Sequence, residues 1–335
     1  GYGLIELVAA TTAVRLVTYL VYRANAYRVF PELHLSRALI RRDRLRELTS
    51  FSVYISLSDW AAKLNYSVDA LVIGAFMGPA SVAVWSVAQR IADAAVRLTN
   101  QLSDVLFPNI VDHASSSRTD RLAVILVEAT RLSLAAVIPV GLGIAVMAEP
   151  LIRAWVGPEF HDSVLVLQLL MITVILRVGN ATSFALLKGS GEHRLAAITN
   201  AAAAVANLAL SLLLIHPLRY AGVAIGTIVP VALVVLTVVF PTACRRVGIP
   251  VHTAFARAVL PAVWPGVVMA FGLVLVRDSA GGSLLSIAAA LAVAGLAYTV
   301  IFLFVSLGGE DRRRYTSRIS ALWWRSRLQP VQEGA

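Results

Sequence analysis

Nine apolar stretches, each long enough to cross a bilayer, follow one another through this 335-residue chain with only short loops between them. A spanning helix needs about 20 mostly apolar residues. The stretches at 4–22, 50–75, 81–106, 122–147, 164–187, 195–215, 221–243, 257–276 and 283–307 meet that requirement. Only 14% of the chain is charged, against roughly a quarter in soluble domains, and the mean hydropathy is +0.77. A soluble globule cannot hide so much apolar surface, because much of its exterior stays in contact with water. Lipid is therefore the solvent for most of this chain. The expected fold class is an all-α polytopic membrane protein of about nine transmembrane helices.

Arginine and lysine set the expected orientation. Alternate loops and the tail carry twenty of them, including Arg37, Arg41, Arg42, Arg44 and Arg46 before the second span and Arg312, Arg313 and Arg314 after the last. The other loops hold three: Arg153, Arg219 and Arg277. The positive-inside rule makes the richer set cytoplasmic, with the C-terminus inside and Gly1 outside. That start outside the membrane, directly before a span, reads as a C-terminal fragment whose upstream helices are missing. The net charge of +10 is accounted for by this distribution, so no nucleic-acid partner is expected. The tail mixes Trp323 and Trp324 with arginines, as a helix resting on anionic lipid headgroups does.

Ionisable residues inside the spans are the candidate functional groups, since each costs about 2.5–3.5 kcal/mol to insert unless a cavity or partner receives it. They are Arg15, Lys63, Arg90, Arg97, Arg131 and Arg177, with Asp59, Asp69, Asp93 and Glu128. At 100° per residue, Ser86, Arg90, Asp93, Arg97, Gln101 and Asp104 share one side of the third span. That stripe runs roughly 28 Å at 1.5 Å per residue, close to the whole hydrocarbon thickness. The second span repeats the pattern with Asp59 and Lys63 four residues apart, placed for an ion pair. Such stripes line a water-filled cavity or pair with each other. The length of the one on the third span favours the cavity, and its basic excess suits an anionic cargo.

Covalent chemistry has little support. No nucleotide phosphate loop is present, the single cysteine is Cys244, and the six histidines sit in loops or at span ends without metal-ligand spacing. No cofactor or metal is expected.

Three segments resemble the polysaccharide-exporter branch, O-antigen- and oligosaccharide-flippase-like, of the multidrug/oligosaccharidyl-lipid/polysaccharide (MOP) flippase superfamily. Asp69 to Gly78 followed by Val84-Trp85-Ser86-Val87-Ala88-Gln89-Arg90-Ile91 is similar to that family's D-x-x-I-I-G-x-x-x-G … Y-S-x-A-x-R-I hairpin. Trp155-Val156-Gly157-Pro158-Glu159-Phe160 resembles its W-x-G-x-x-F outer loop. Gly191 to Asn207 with Gly222-Val223-Ala224-Ile225-Gly226-Thr227 resembles its G … N … N-L … G-A-A-I-G-T hairpin. Trp85 departs from the usual tyrosine and Val223 from the usual alanine.

The resemblance implies two six-helix lobes around a central cavity. Residues 1–22 are then the last helix of the first lobe, and 23–49 a cytoplasmic inter-lobe linker. Residues 50–243 are the second lobe, 244–307 two additional helices, and 308–335 a basic cytoplasmic tail. It also implies a flippase, working by alternating access in a bacterial inner membrane. The cargo would be a lipid-linked (polyprenyl-pyrophosphate) oligosaccharide for cell-surface polysaccharide, lipopolysaccharide O-antigen among the candidates. Polysaccharide polymerases or glycosyltransferases are the expected neighbours. In that reading Arg90, Arg97, Lys63, Arg177 and Gln101 meet the headgroup. Asp59, Asp69 and Asp93 serve as counter-charges or couple an ion. A cation-coupled drug or metabolite antiporter of the same superfamily is the alternative. A membrane glycan polymerase, using Glu149, Glu159 and Asp162 at an outer loop, is a more remote one.

Overall fold

The computed structural model describes residues 4–31, 68–106, 118–190, 193–280 and 282–307. All regular structure among them is helical, as the hydropathy pattern predicts. The chain divides into two compact units, 1–60 and 61–335.

In the first unit, α1 (Leu4–Val29) runs 26 residues, seven past the apolar stretch that predicts it. Its last turns carry Arg23 and Arg28, and the Arg23 guanidinium lies 5.9 Å from the Tyr27 ring centre. A helix does not end where its apolar run ends, because a long arginine keeps helical geometry while its head reaches the interface. Thr12 and Thr18 donate their hydroxyl protons to the carbonyls of Val8 and Val14, four residues back. In this way α1 accommodates polar residues without external partners.

The first described helices of the second unit are α2 (Val68–Met77) and α3 (Pro79–Leu106). There follow α4 (Arg118–Val146), the short α5 (Ala148–Trp155) and α6 (Asp162–Gly179). Next come α7 (Ala181–Gly189), α8 (His193–Leu233), α9 (Phe240–Arg246) and α10 (Val251–Ala254). The last two are α11 (Leu260–Ala280) and α12 (Leu284–Ile301). Single π-helical turns at Val234–Val239, Phe255–Val259 and Phe302–Ser306 join or extend some of these. Among the described residues, five stretches are long and apolar enough to cross a membrane: Leu122–Val146, Asp162–Gly189, Ala197–Arg246, Val251–Ser279 and Leu284–Ser306.

Helix α6 is the hub, packed against α3, α4 and α8, while α11 and α12 pack on α4. The core around it is closed by Trp85, Ile138, Leu167, Met171, Val223 and Ala224, all nearly or fully buried. Trp85, where the resemblance leads one to expect tyrosine, is an interior packing residue. Ser163 donates to the carbonyl of Val84 at 2.8 Å and fixes the start of α6 to α3. The Tyr298 hydroxyl donates to the Ala262 carbonyl at 2.9 Å and joins α12 to α11. The outer-loop motif is a turn: Gly157 takes φ 105, ψ 167, which favours glycine, and Pro158–Phe160 forms a 3₁₀ turn behind it.

The 50-residue apolar stretch Ala197–Arg246 is two limbs of a hairpin. Arg219, at φ 49 and ψ −127, breaks the helical run within the boundary that the sequence places between 215 and 221. The limbs meet backbone to backbone. A Cβ on Gly226 would lie 2.5 Å from the Ser211 Oγ and 2.8 Å from its backbone nitrogen, and one on Gly222 would strike the Leu214 carbonyl. Small residues permit this approach in lipid, where close packing replaces the hydrophobic drive.

Candidate functional site

The second limb of the α8 hairpin, together with α2, α3 and α6, borders a polar pocket in the second unit. Asp69 from α2, Gln89 from α3, Thr173 and Arg177 from α6 and Thr227 from α8 line it, with Ala92, Val96, Leu170 and Val174 as apolar walls. Its free volume is about 30 Å³, enough for an ion or a water molecule.

Each polar group arrives for a local reason. Asp69, on α2, is buried, 4% exposed. Arg177 lies three residues before Asn180, whose φ −106 and ψ 6 end α6 and begin α7. Asn180 donates its side-chain amide to the Leu176 carbonyl at 3.2 Å, one turn back beside Arg177. Gln89 donates to Asp93 Oδ1 at 2.9 Å, an i, i+4 bond along α3. Arg177 stands within electrostatic range of the Asp69 carboxylate.

The Asp69 carboxylate is the centre of a hydrogen-bonded group. Thr227 donates its hydroxyl proton to Oδ2 at 3.0 Å, and the Asn207 side chain also reaches the carboxylate. Ser211 donates to Asn207 Oδ1 at 2.9 Å. Asn207, Ser211 and Thr227 are all buried. Asp69 Oδ1 is buried and has no hydrogen-bond partner.

The candidates read from sequence therefore separate. Asp69 and Arg177 share the pocket, and Asp93 adjoins it through Gln89. Arg90 and Arg97 lie exposed on α3, away from the buried seam Trp85, Ala88, Ala92, Ala95 and Thr99. Gln101 belongs to α3, but its side chain is outside the described residues, as are Asp59 and Lys63 altogether. Glu149, named for the polymerase alternative, is held by Arg277 at 2.5 Å. Sequence reasoning by charge missed Asn207, Ser211 and Thr227 because all three are neutral. The available signal was spacing: Asn207 and Ser211, four apart, share a face of an otherwise apolar helix.

A family described as "Polysaccharide biosynthesis protein" matches residues 4–165, just under half the chain. A probable low-salt glycan biosynthesis flippase, Agl15, of Haloferax volcanii is 24% identical over 182 residues, 54% of this chain. The chain spans only about two fifths of that relative's length, the match covering 39% of it. No solved structure matches. Carried together with the apolar helices and the interior polar site, these two similarities support a polysaccharide flippase-type family for this multi-pass membrane chain.

Proposed function

We propose that the protein moves a lipid-linked oligosaccharide across the cytoplasmic membrane, by alternating access and without covalent chemistry. The observation that carries this reading is the pocket itself: a buried carboxylate and a half-buried guanidinium, Asp69 and Arg177, held among helices otherwise suited to lipid. Intramembrane ionisable residues mark substrate or ion pathways, because their insertion cost must be offset by a role or a partner. Arg177 is suited to a pyrophosphate-bearing headgroup through the planar, multidentate donor geometry of guanidinium. Arg90 and Arg97, exposed on α3, would present further positive charge to the same cargo. The polyprenyl tail would remain in lipid while the headgroup crosses.

The distribution of arginines supports a cytoplasmic C-terminal tail in contact with anionic lipid headgroups, and a glycan polymerase or glycosyltransferase would be the functional neighbour.

The test follows lipid-linked saccharide in cells depleted of the full-length protein. Accumulation of unpolymerised units on the cytoplasmic leaflet is the expected outcome. Accumulation on the outer leaflet would replace the reading by polymerisation or ligation. Absence of accumulation would bring forward the cation-coupled antiporter, which the buried Asp69 group also favours.

A further inference from the structure

A second cleft, of about 560 Å³, lies between the first half of α4, the start of α11 and the end of α12. Its polar lining is Glu128 and Arg131 on α4, Arg257 in the π turn before α11, and Ser306 in the π turn after α12. Val124 and Pro261 are among its apolar walls. It shares no lining residue with the pocket around Asp69. Its volume is that of a small-molecule site, roughly 300–1,000 Å³, whereas the space beside Asp69 fits only an ion or a water molecule.

The charged groups sit at a common depth. Glu128 and Arg131 lie six and nine residues into the apolar stretch that begins at Leu122, and Arg257 six residues into the one that begins at Val251. At 1.5 Å per residue they are roughly 9–14 Å from the ends of those stretches. Arginine stems are long enough to lie along apolar surface while their heads reach towards the interface. Arg131 is buried and Arg257 exposed. One carboxylate against two guanidinium groups leaves an excess of one positive charge, and Arg245 and Arg246 add exposed charge at the end of α9.

Two further features point to a ligand. The Ser306 hydroxyl oxygen is buried and has no hydrogen-bond partner, a cost that a hydrogen-bonding ligand in the cleft removes. Two of the three π turns among the described residues border the cleft, and such turns are rare except at functional sites. Next to the lining residues in sequence, Phe255, Leu260, Phe304 and Val305 are exposed, an apolar rim suited to acyl chains.

We propose that this cleft binds the headgroup of an anionic glycerophospholipid of the phosphatidylglycerol type. The phosphodiester meets Arg257 and Arg131, whose forked donors match phosphate oxygens. The hydroxyls of the headgroup glycerol donate to Glu128 and meet Ser306, and the acyl chains lie along the apolar rim. Phosphatidylcholine has no donor for Glu128, and phosphatidylethanolamine is neutral overall and gains nothing from the positive excess. The arginine distribution supports placing the starts of α4 and α11 towards the cytoplasm, the leaflet in which basic pockets between helices meet anionic lipid.

The test titrates the full-length protein in detergent with phosphatidylglycerol, phosphatidylethanolamine and phosphatidylcholine of identical acyl chains, read by native mass spectrometry. The expected result is saturable binding, about fivefold or more tighter for phosphatidylglycerol than for the other two, the effect of roughly one charge near the surface. Arg257→Gln should weaken it about fivefold on the same grounds, Ser306→Ala by less, and Arg153→Gln, exposed on α5, not at all. Arg257 is exposed, so its replacement leaves the fold intact. The basic tail is present in every variant, so a loss in Arg257→Gln locates the binding in the cleft. Equal affinity for the three lipids would overturn the proposal, as would unchanged binding in Arg257→Gln or an equal loss in Arg153→Gln. Displacement of the lipid by millimolar glycerol 3-phosphate would overturn it too, by showing a site for soluble phosphate esters. No readout involves a cargo, so failure of this site and failure of the flippase reading are separate results.

Discussion

Thr227 and Asp69, 158 residues apart in sequence, are joined by a buried hydrogen bond in which the threonine hydroxyl donates to Asp69 Oδ2 at 3.0 Å. The bond crosses from α2 to the far limb of the α8 hairpin. It therefore reports on the assembly of that unit as well as on the polar site. Thr227→Val removes the donor while keeping the shape, and leaves the carboxylate with one fewer partner. The expected loss is about 1–2 kcal/mol, the upper part of what hydrogen bonds in membrane interiors contribute. Thr227→Ser keeps the donor and should lose less. Unfolding of the full-length protein in detergent compares the two, and equal losses would show that the methyl group rather than the hydroxyl matters.

The hairpin is expected to be intolerant at one glycine and indifferent at another. Gly226→Ala places a Cβ 2.5 Å from Ser211 Oγ and 3.1 Å from its Cα, so the limbs must separate. Overpacking of this kind costs about 1–3 kcal/mol. Gly272, in α11, has nothing within 4 Å of its would-be Cβ. Gly272→Ala should be neutral or slightly stabilising through helix propensity. Thermal midpoints of the two variants check the contrast; similar losses would mean that the limbs are not in contact as described.

Much of this architecture was legible in the sequence because the bilayer imposes length. The apolar stretches at 122–147, 164–187 and 283–307 coincide within a few residues with membrane-length helices, and the hairpin tip at Arg219 falls in the predicted gap. What hydropathy does not carry is local winding. The π turns at Val234–Val239 and Phe255–Val259 have no periodic signature, since apart from Thr237 and Arg257 their residues are apolar and read the same under either winding. Nor does a helical wheel say which side of α3 faces its neighbours. The stripe of Arg90 and Arg97 was visible, yet the interior is entered beside it, through Gln89 and Ala92. The buried seam uses alanines, whose small size lets α3 approach α6 but gives no hydrophobic stripe to read. The polar group at Asp69 was half legible. Its one charge drew notice, while the neutral Asn207, Ser211 and Thr227 became meaningful only when the hairpin brought them together.

The contact of Glu149 with Arg277, 2.5 Å across α5 and the end of α11, bears on the enzymatic alternative. Both side chains are more than a third exposed, so the pair is screened and should contribute no more than about 1 kcal/mol. A double-mutant cycle with Glu149→Gln and Arg277→Gln measures that coupling. If Glu149, Glu159 and Asp162 supplied a catalytic base, their triple alanine variant would abolish glycan output. The expected outcome is retained output with at most a small drop in thermal midpoint. Loss of polymer with normal lipid-linked precursor on the outer leaflet would restore the polymerase reading.

Asp69 and Arg177 share one pocket with opposite charges, and this gives an ion coupled through Asp69, the role expected of it from the sequence, and the proposed cargo a reason to assist each other. With no cation at the carboxylate, Asp69 repels an incoming pyrophosphate and holds part of the field of Arg177. A cation on the Asp69 side cancels that charge, so the guanidinium field acts on the anion instead. Couplings between sites of this kind are typically about 5–150-fold in affinity, and they are reciprocal. In proteoliposomes containing the full-length protein, flipping of a fluorescent lipid-linked saccharide should therefore rise with sodium. Asp69→Asn makes the site permanently neutral and should flip at a rate that no longer responds to sodium. Arg177→Ala should lose about tenfold or more at every sodium concentration, while inserting normally. Sodium dependence that persists unchanged in Asp69→Asn would separate the ion from the cargo and leave the two charges as neighbours without coupling.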